Sequence, residues 1–205
     1  MYHKGGAGTN KLEEIKEMLA QSNGIITASQ VTEADIPRYY LKKLVDLKLL
    51  TMVDRGIYIK PEMLEDEMYI LQYKYGRGIF SYETALFIHG LTDRTPMKFT
   101  MTFPYGYHVN SLKKENVKIK KTIKELYEFG LIDGVSPYGN PIRLYDVERT
   151  LCDIVKGNNT CDIQLVNQAM KQYARMPGKN VTKLFDYAEK IRVKPKVLNY
   201  MEILL

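Results

Sequence analysis

The chain has 205 residues, 45% of them apolar and 26% charged, which is enough to bury a core and to hold one small and one medium domain. Its formal net charge of +6 favours an acidic partner, nucleic acid first. No apolar run approaches the roughly 18 residues of a membrane span, and the Gly-rich start from Met1 to Asn10 lacks the apolar centre of a secretory signal, so a cytoplasmic protein with no membrane partner is expected.

Asn10 followed three residues later by Glu13 resembles a capping box, and Leu12, Ile15, Met18 and Leu19 recur at helical spacing up to the stop Asn23-Gly24. Residues ahead of Asn10 read as a mobile end. Thr27 then caps a short helix over Ala28 to Thr32, a turn follows at Glu33 to Ile36, and Pro37 falls in the first turn of a second helix reaching about Lys48. At a period of 3.6, Tyr40, Leu41, Leu44 and Lys48 share one side of that helix, while Arg38, Tyr39, Lys42, Lys43 and Asp46 share the other. Leu49 to Val53 and Ile57 to Ile59 flank Asp54-Arg55-Gly56, so a β-hairpin follows with Arg55 at its tip. Helix, turn, helix and hairpin in this order are the parts of a winged helix-turn-helix.

A cationic and aromatic helix face suits a major groove, because Arg and Lys reach phosphates and the acceptor edge of guanine and a Tyr hydroxyl meets either. Most charged helix faces do no more than meet solvent, and residues 1–62 carry nine Lys/Arg against eight Asp/Glu, so the inference rests on placement rather than net charge. Candidate DNA-binding residues are Thr27, Ser29, Gln30, Arg38, Tyr39, Lys42, Lys43 and Arg55. The tip Arg55-Gly56-Ile57-Tyr58, joined to the run Leu44 to Leu50 and followed by Pro61, is more specific than the helix pair. It resembles the N-terminal winged-helix domain of AbiEi-type antitoxins from abortive-infection (type IV) toxin–antitoxin systems.

Glu62 to Tyr75 is a further helical pattern, ended by Gly76-Arg77-Gly78, where two domains would move relative to each other at least cost. Ser81 caps SYETALFIHGL, with Gly90 as its stop. Ser81, Thr84, Ala85, Leu86, His89 to Asp93 and Pro96 fit a run of the same antitoxin family, with Tyr82 where His is frequent. His89 is the residue type of a general base, but no nucleophile with a recognisable elbow accompanies it, and it reads as a histidine bonded to backbone near the Gly90 turn.

Lys98 to Phe103 and Asn116 to Lys121 alternate as strands, with an aromatic turn at Pro104 to His108 that would shield a sheet end or stack on bases. Weaker strands are expected at Leu126 to Ile132 and Ile142 to Tyr145, with turns at Asp133-Gly134 and Pro137 to Pro141, giving a small, mainly antiparallel sheet. Asp146 is a good N-cap for VERTLCDIVKG. Leu144 to Ile154 holds the third and most specific resemblance, an Asp-x-Glu-Arg-Thr-aliphatic-x-Asp segment of the AbiEi family. Asp146, Glu148 and Asp153 could be metal carboxylates, yet a cap, a helix-dipole partner and an ion pair with Arg149 explain them with less strain. Cys152 and Cys161 are too few for a disulfide framework, make no metal spacing with three scattered histidines, and read as small buried residues. Helices at Asp162 to Arg175, Thr182 to Arg192 and Lys196 to Leu205 complete the chain, separated by Met176-Pro177-Gly178 and Lys194-Pro195.

The expected fold is α+β: a winged helix-turn-helix over residues 1–62 and an α+β domain over 63–205. The resemblance implies an antitoxin that represses its own operon through double-stranded operator DNA, at inverted repeats, and neutralises a nucleotidyltransferase-like toxin through the second domain, in defence against phage. No enzyme activity, metal or cofactor is implied. The charge excess lies in Lys98–Lys124 and Lys171–Lys196. A second basic surface for DNA or toxin is therefore expected from Lys98, Lys113, Lys114, Lys118, Lys120, Lys121, Lys171, Arg175, Lys179 and Lys183. Two other classes stay open on the residues alone: a metal-dependent nuclease using Asp133, Asp146 and Glu148, and a transcription factor whose second domain senses a small molecule.

Overall fold

The computed structural model describes residues 6–108, 115–157 and 161–204, with side chains from residue 11 onward. Contacts divide the chain into two units, one of residues 1–71 with Tyr138–Asn140, the other of residues 72–137 and 141–205.

In the first unit, α1 (Gly6–Gln21) leads to β1 (Ile25–Thr27), α2 (Ala28–Glu33), α3 (Tyr39–Asp46), β2 (Thr51–Asp54) and β3 (Ile57–Ile59). Ile15 and Leu19 of α1, Val31 of α2 and Tyr40, Leu41 and Leu44 of α3 converge with Ile26, Ile36 and Leu50 on one core. Asn10 lies inside α1 and not at its start, so it is no cap; the mobile end assigned ahead of it falls partly on residues 1–5, outside the described residues. The three strands form an antiparallel sheet in the order β1-β3-β2. β1 was not foreseen, because Ile25-Ile26-Thr27 is too short to show alternation and all three residues are buried. Thr27 serves both as the last residue of β1 and as the cap of α2.

Two expected boundaries shift. Pro37 precedes the N-cap Arg38 instead of lying in the first turn of α3, and Lys48 stands beyond the helix, exposed and left-handed with φ 58. α4 (Glu67–Lys74) begins five residues later than Glu62, because the buried Asp66 carboxylate accepts from the Tyr69 N–H at 3.1 Å and sets the start there. Tyr69 and Ile70 pack on a small cluster of Ile25, Ile57 and Ile59.

The second unit runs β4 (Ile79–Phe80), α5 (Tyr82–Ile88), β5 (Phe99–Pro104), β6 (Val117–Thr122), α6 (Lys124–Tyr127), β7 (Leu131–Val135), β8 (Pro141–Tyr145), α7 (Val147–Val155), α8 (Ile163–Arg175), α9 (Val181–Ile191) and α10 (Lys194–Leu204). Its sheet has the order β6-β5-β4-β8-β7 and is mixed. β4 is parallel to β8 and β5 to β6, whereas β4–β5 and β7–β8 are antiparallel. The expected antiparallel bias thus gives way to equal numbers of each pairing. Leu126 sits in α6 and Asp133-Gly134 inside β7, because the hairpin turns later, around residues 136–140. Pro195 belongs to the first turn of α10, where a missing N–H is tolerated, and does not separate helices.

α7 organises this unit. It packs against α5, α8 and α9, and every residue from Glu148 to Val155 is buried. Leu151, Cys152, Ile154 and Val155 join Leu165, Val166, Ala169, Met170 and Tyr173 of α8 and Leu184, Ala188 and Ile191 of α9 in the largest core cluster. Gly130 makes the approach to α7 possible: its φ is +77, and a Cβ there would stand 2.7 Å from the Arg149 Cβ.

Candidate nucleic-acid interface

The helix pair is built around Thr27. Its hydroxyl accepts from the Gln30 N–H at 3.3 Å and donates to Gln30 Oε1 at 2.9 Å, while Oε1 also accepts from the Thr27 N–H at 2.8 Å. This reciprocal box satisfies the start of α2. It also removes Thr27 from the contact surface, since the residue is only 1% exposed. Gln30 commits its carbonyl oxygen to the box and keeps its Nε2 donors for anything outside. Ser29 Oγ lies 3.2 Å from Thr27 Oγ1.

From α3, Tyr40, Leu41 and Leu44 point into the core, and Tyr39, Lys42 and Lys43 point out. Tyr39 is 59% exposed, with its ring centroid 4.1 Å from that of Tyr40. Arg38 is exposed at the N-cap, where its Nε donates to Thr32 Oγ1 at 2.8 Å and so links the end of α2 to the start of α3. The exposed Arg55 occupies the two-residue turn between β2 and β3, its N–H bonded to Asp54 Oδ1 at 2.6 Å and followed by Gly56 at φ 79. The unit therefore presents Arg38, Tyr39, Lys42 and Lys43 along one helix face and Arg55 on a hairpin.

The residues of the expected second basic surface stand in different surroundings. Lys183 is half-buried and held by Asp146 Oδ2 at 3.0 Å and Glu148 Oε2 at 3.2 Å. Burial opposes its charge, but the hydrogen bonds it donates to both carboxylates prevail and raise its pKa. Lys118 is paired with Glu83 at 3.0 Å, Lys120 Nζ sits 4.7 Å above the Tyr82 ring, and Lys121 donates to the Tyr107 carbonyl at 3.3 Å. Lys98 is exposed before β5, Lys171 and Arg175 are exposed on α8, and Lys179 is half-buried. Lys113 and Lys114 lie outside the described residues. The aromatic turn closes on the sheet, with Tyr107 stacked on Phe103 at 4.8 Å.

The carboxylates of α7 serve the fold. Asp146 Oδ1 accepts from the Arg149 N–H at 2.8 Å, Tyr173 Oη lies 3.3 Å from Glu148, and Arg149 Nε meets both Asp153 oxygens at 3.0 Å. Arg149 Nη1 also donates to the carbonyls of Leu126 and Phe129, each at 2.7 Å. Asp133 is on β7 opposite Arg143. Among the described residues no group of three or more His, Cys, Asp and Glu is gathered around a metal position. His89 Nε2 donates to the Tyr145 carbonyl at 2.7 Å, at the end of β8 and not at the Gly90 turn, and burial lowers its pKa. Burial likewise pushes the thiols of Cys152 and Cys161 up to about 12. Ser81 caps α5 by position alone, its hydroxyl being paired with Thr102 Oγ1 at 2.8 Å.

A trihelical core with a three-stranded wing defines the first unit as a winged helix-turn-helix. Residues 13–59 match the family of transcriptional regulators described as AbiEi antitoxins. Over the whole chain, the crystal structure of the RV2827C protein from Mycobacterium tuberculosis is similar at 13% identity, covering 96% of this chain and 80% of that one with a TM-score of 0.48. No curated protein matches the chain. No helix among the described residues is long and apolar enough to cross a membrane.

Proposed function

We propose that the chain is an antitoxin and autorepressor, in which residues 1–62 bind double-stranded operator DNA at inverted repeats and residues 63–205 neutralise a nucleotidyltransferase-like toxin encoded in the same operon. The observation that carries the DNA half is the division of α3. Its apolar side closes the core, and its outer side gathers Arg38, Tyr39, Lys42 and Lys43, with Arg55 on the hairpin. Among the described residues Lys42, Lys43 and Arg55 make no ion pair, so their charge is available to phosphate or base edges. The match of residues 13–59 to antitoxin regulators supports both halves, and exposed Lys98, Lys171 and Arg175 offer the second unit a cationic contact.

The test is titration of the full chain onto its own promoter fragment by fluorescence anisotropy. Arg38→Ala, Lys42→Ala and Lys43→Ala should weaken binding, a base contact by about 1–3 kcal/mol with relaxed specificity at one position, a phosphate contact uniformly across sequences. Arg55→Ala should reduce the salt slope. Unchanged affinity in all four would remove this face as the reader. Reversing Lys98, Lys171 and Arg175 together to Glu should abolish protection against the co-encoded toxin and leave operator affinity intact; the opposite pattern would assign that surface to DNA.

A further inference from the structure

We infer that the cleft where the ends of α7 and α9 meet the starts of α6 and α10 binds a small molecule bearing a di- or triphosphate. The cleft encloses about 630 Å³ within the second unit, a size that suits a compact ligand. Four cations line it, Lys156, Lys190, Arg192 and Lys196, against the single carboxylate of Glu125. Its remaining walls are apolar, from Ile123, Leu126, Ile191 and Val193. A cationic rim over an apolar floor complements a phosphorylated molecule whose body is flat or greasy.

The cations drawn into this unit's interior are answered internally, Lys183 by two carboxylates and Arg149 by one. Here the accounting differs. Among the described residues neither Lys190 nor Arg192 makes an ion pair; Lys190 Nζ rests 4.0 Å from the centre of the Phe129 ring. Cations at the end of α9 complement its dipole, which explains Lys190 and Arg192 in part. That account does not reach Lys196, which lies in the first turn of α10, where the dipole repels positive charge. Its ammonium is held by the carbonyls of Gly157 at 2.9 Å and Val155 at 3.2 Å, which leaves the third N–H of the three for a ligand. Arg192 adopts a left-handed conformation with φ 65 at a helix end where Gly or Asn is the usual occupant. The like charges of Lys190, Arg192 and Lys196 around one cleft repel one another, and a bound polyanion relieves that repulsion. The N-terminus of α10, an 11-residue helix bordering the cleft through Val193 and Lys196, adds N–H groups suited to phosphate oxygens.

The experiment is calorimetric titration of the full chain with sodium tripolyphosphate and with ATP in magnesium-free buffer, using adenosine and a short duplex of unrelated sequence as controls. Both polyphosphates should bind at one site per chain, with adenosine at least a hundredfold weaker. The double variant Lys190→Gln, Arg192→Asn, in which Asn tolerates the left-handed turn, should weaken both by at least tenfold while keeping the melting temperature of the unliganded chain and its affinity for the promoter fragment. Absence of saturable binding overturns the proposal, as does equal binding by the double variant. A duplex that displaces ATP and loses affinity in the same variant also overturns it, because the cleft would then read a nucleic-acid backbone.

Discussion

The outer face of the first unit and the interior of the second use positive charge in opposite ways. In the first, Lys42, Lys43 and Arg55 stand exposed on α3 and the hairpin with no ion pair among the described residues, while the core beneath them is closed by Tyr40, Leu41 and Leu44. In the second, Arg149 and Lys183 are drawn inward and satisfied by Asp153, Asp146 and Glu148. A paired cation has already spent its electrostatic energy on the fold, whereas an exposed unpaired one retains it for an outside anion. Positive residues are similar in sequence, so only the count of partners separates these roles.

The contrast breaks most readily at Arg149. The residue is 2% exposed, and its guanidinium serves Asp153 and two backbone carbonyls while lying 4.3 Å above the Tyr145 ring. Arg149→Met should cost about 3–5 kcal/mol, because Asp153 and both carbonyls lose their buried partner. Burial already pushes the Asp153 carboxyl above its ordinary range against the pull of Arg149, and the variant removes that pull. Urea unfolding measures the loss. The double variant Arg149→Met, Asp153→Leu should recover a large part of it, and failure to recover would mean that the carbonyl contacts dominate.

Lys183→Met comes next, at about 1–3 kcal/mol, since Asp146 and Glu148 would face each other without a cation between them. The same variant should leave DNA and toxin binding unchanged. A loss of either at full stability would return Lys183 to the basic surface expected from sequence. Thr27→Ala should cost about 1 kcal/mol through the lost cap of α2, and it should lower operator affinity only as far as α3 shifts.

Such roles were legible where the signal is local. Thr27 and Asp146 announce caps by residue type ahead of an apolar period, and both make the expected bonds. The hairpin around Arg55 and the helices α8 and α9 follow from spacing within a dozen residues. What escaped depends on distant partners. β4 has two residues, buried between β5 and β8, and nothing in Ile79-Phe80 distinguishes a central strand from a loop. The parallel pairing of β5 with β6 cannot be inferred from alternation, which is the same for either direction. Lys183 is separated from Asp146 by two whole helices, α7 and α8, and two loops, so its basic neighbours in sequence suggested a surface role that its carboxylate partners oppose. Lys190, Arg192 and Lys196 lay within the run Lys171–Lys196 but were not singled out, because only the fold brings them beside Lys156.

A smaller effect is expected from His89. Burial lowers its pKa in the folded chain, outweighing the Tyr145 carbonyl and the nearby Asp146 and Glu148, which pull it upward. Below the ordinary histidine value of about 6.5 the unfolded chain binds a proton that the folded chain resists, so stability falls with acidification through that window and is fully present above it. Melting temperatures of His89→Gln between pH 7 and pH 5 should show a shallower decline than those of the parent chain, the Gln amide Nε2 standing in for the imidazole Nε2 that bonds the Tyr145 carbonyl. Parallel declines would show that another group carries the acid sensitivity.

The smallest stability effect should come from the residues with the largest proposed contact role. Lys42→Gln with Lys43→Gln removes two exposed charges that touch neither the core nor a carboxylate, and substitutions of this kind normally change stability by less than about 0.5 kcal/mol. The unfolding midpoint should therefore stay where it is, or rise slightly as repulsion between neighbouring cations is relieved, while promoter binding weakens and its dependence on salt becomes shallower by about two phosphate contacts at most. Lys183→Met is the mirror image, with stability reduced and binding kept. Should the α3 variant unfold more readily than Lys183→Met, the outer face of that helix would be part of the fold and the opposition between the two units would have to be abandoned.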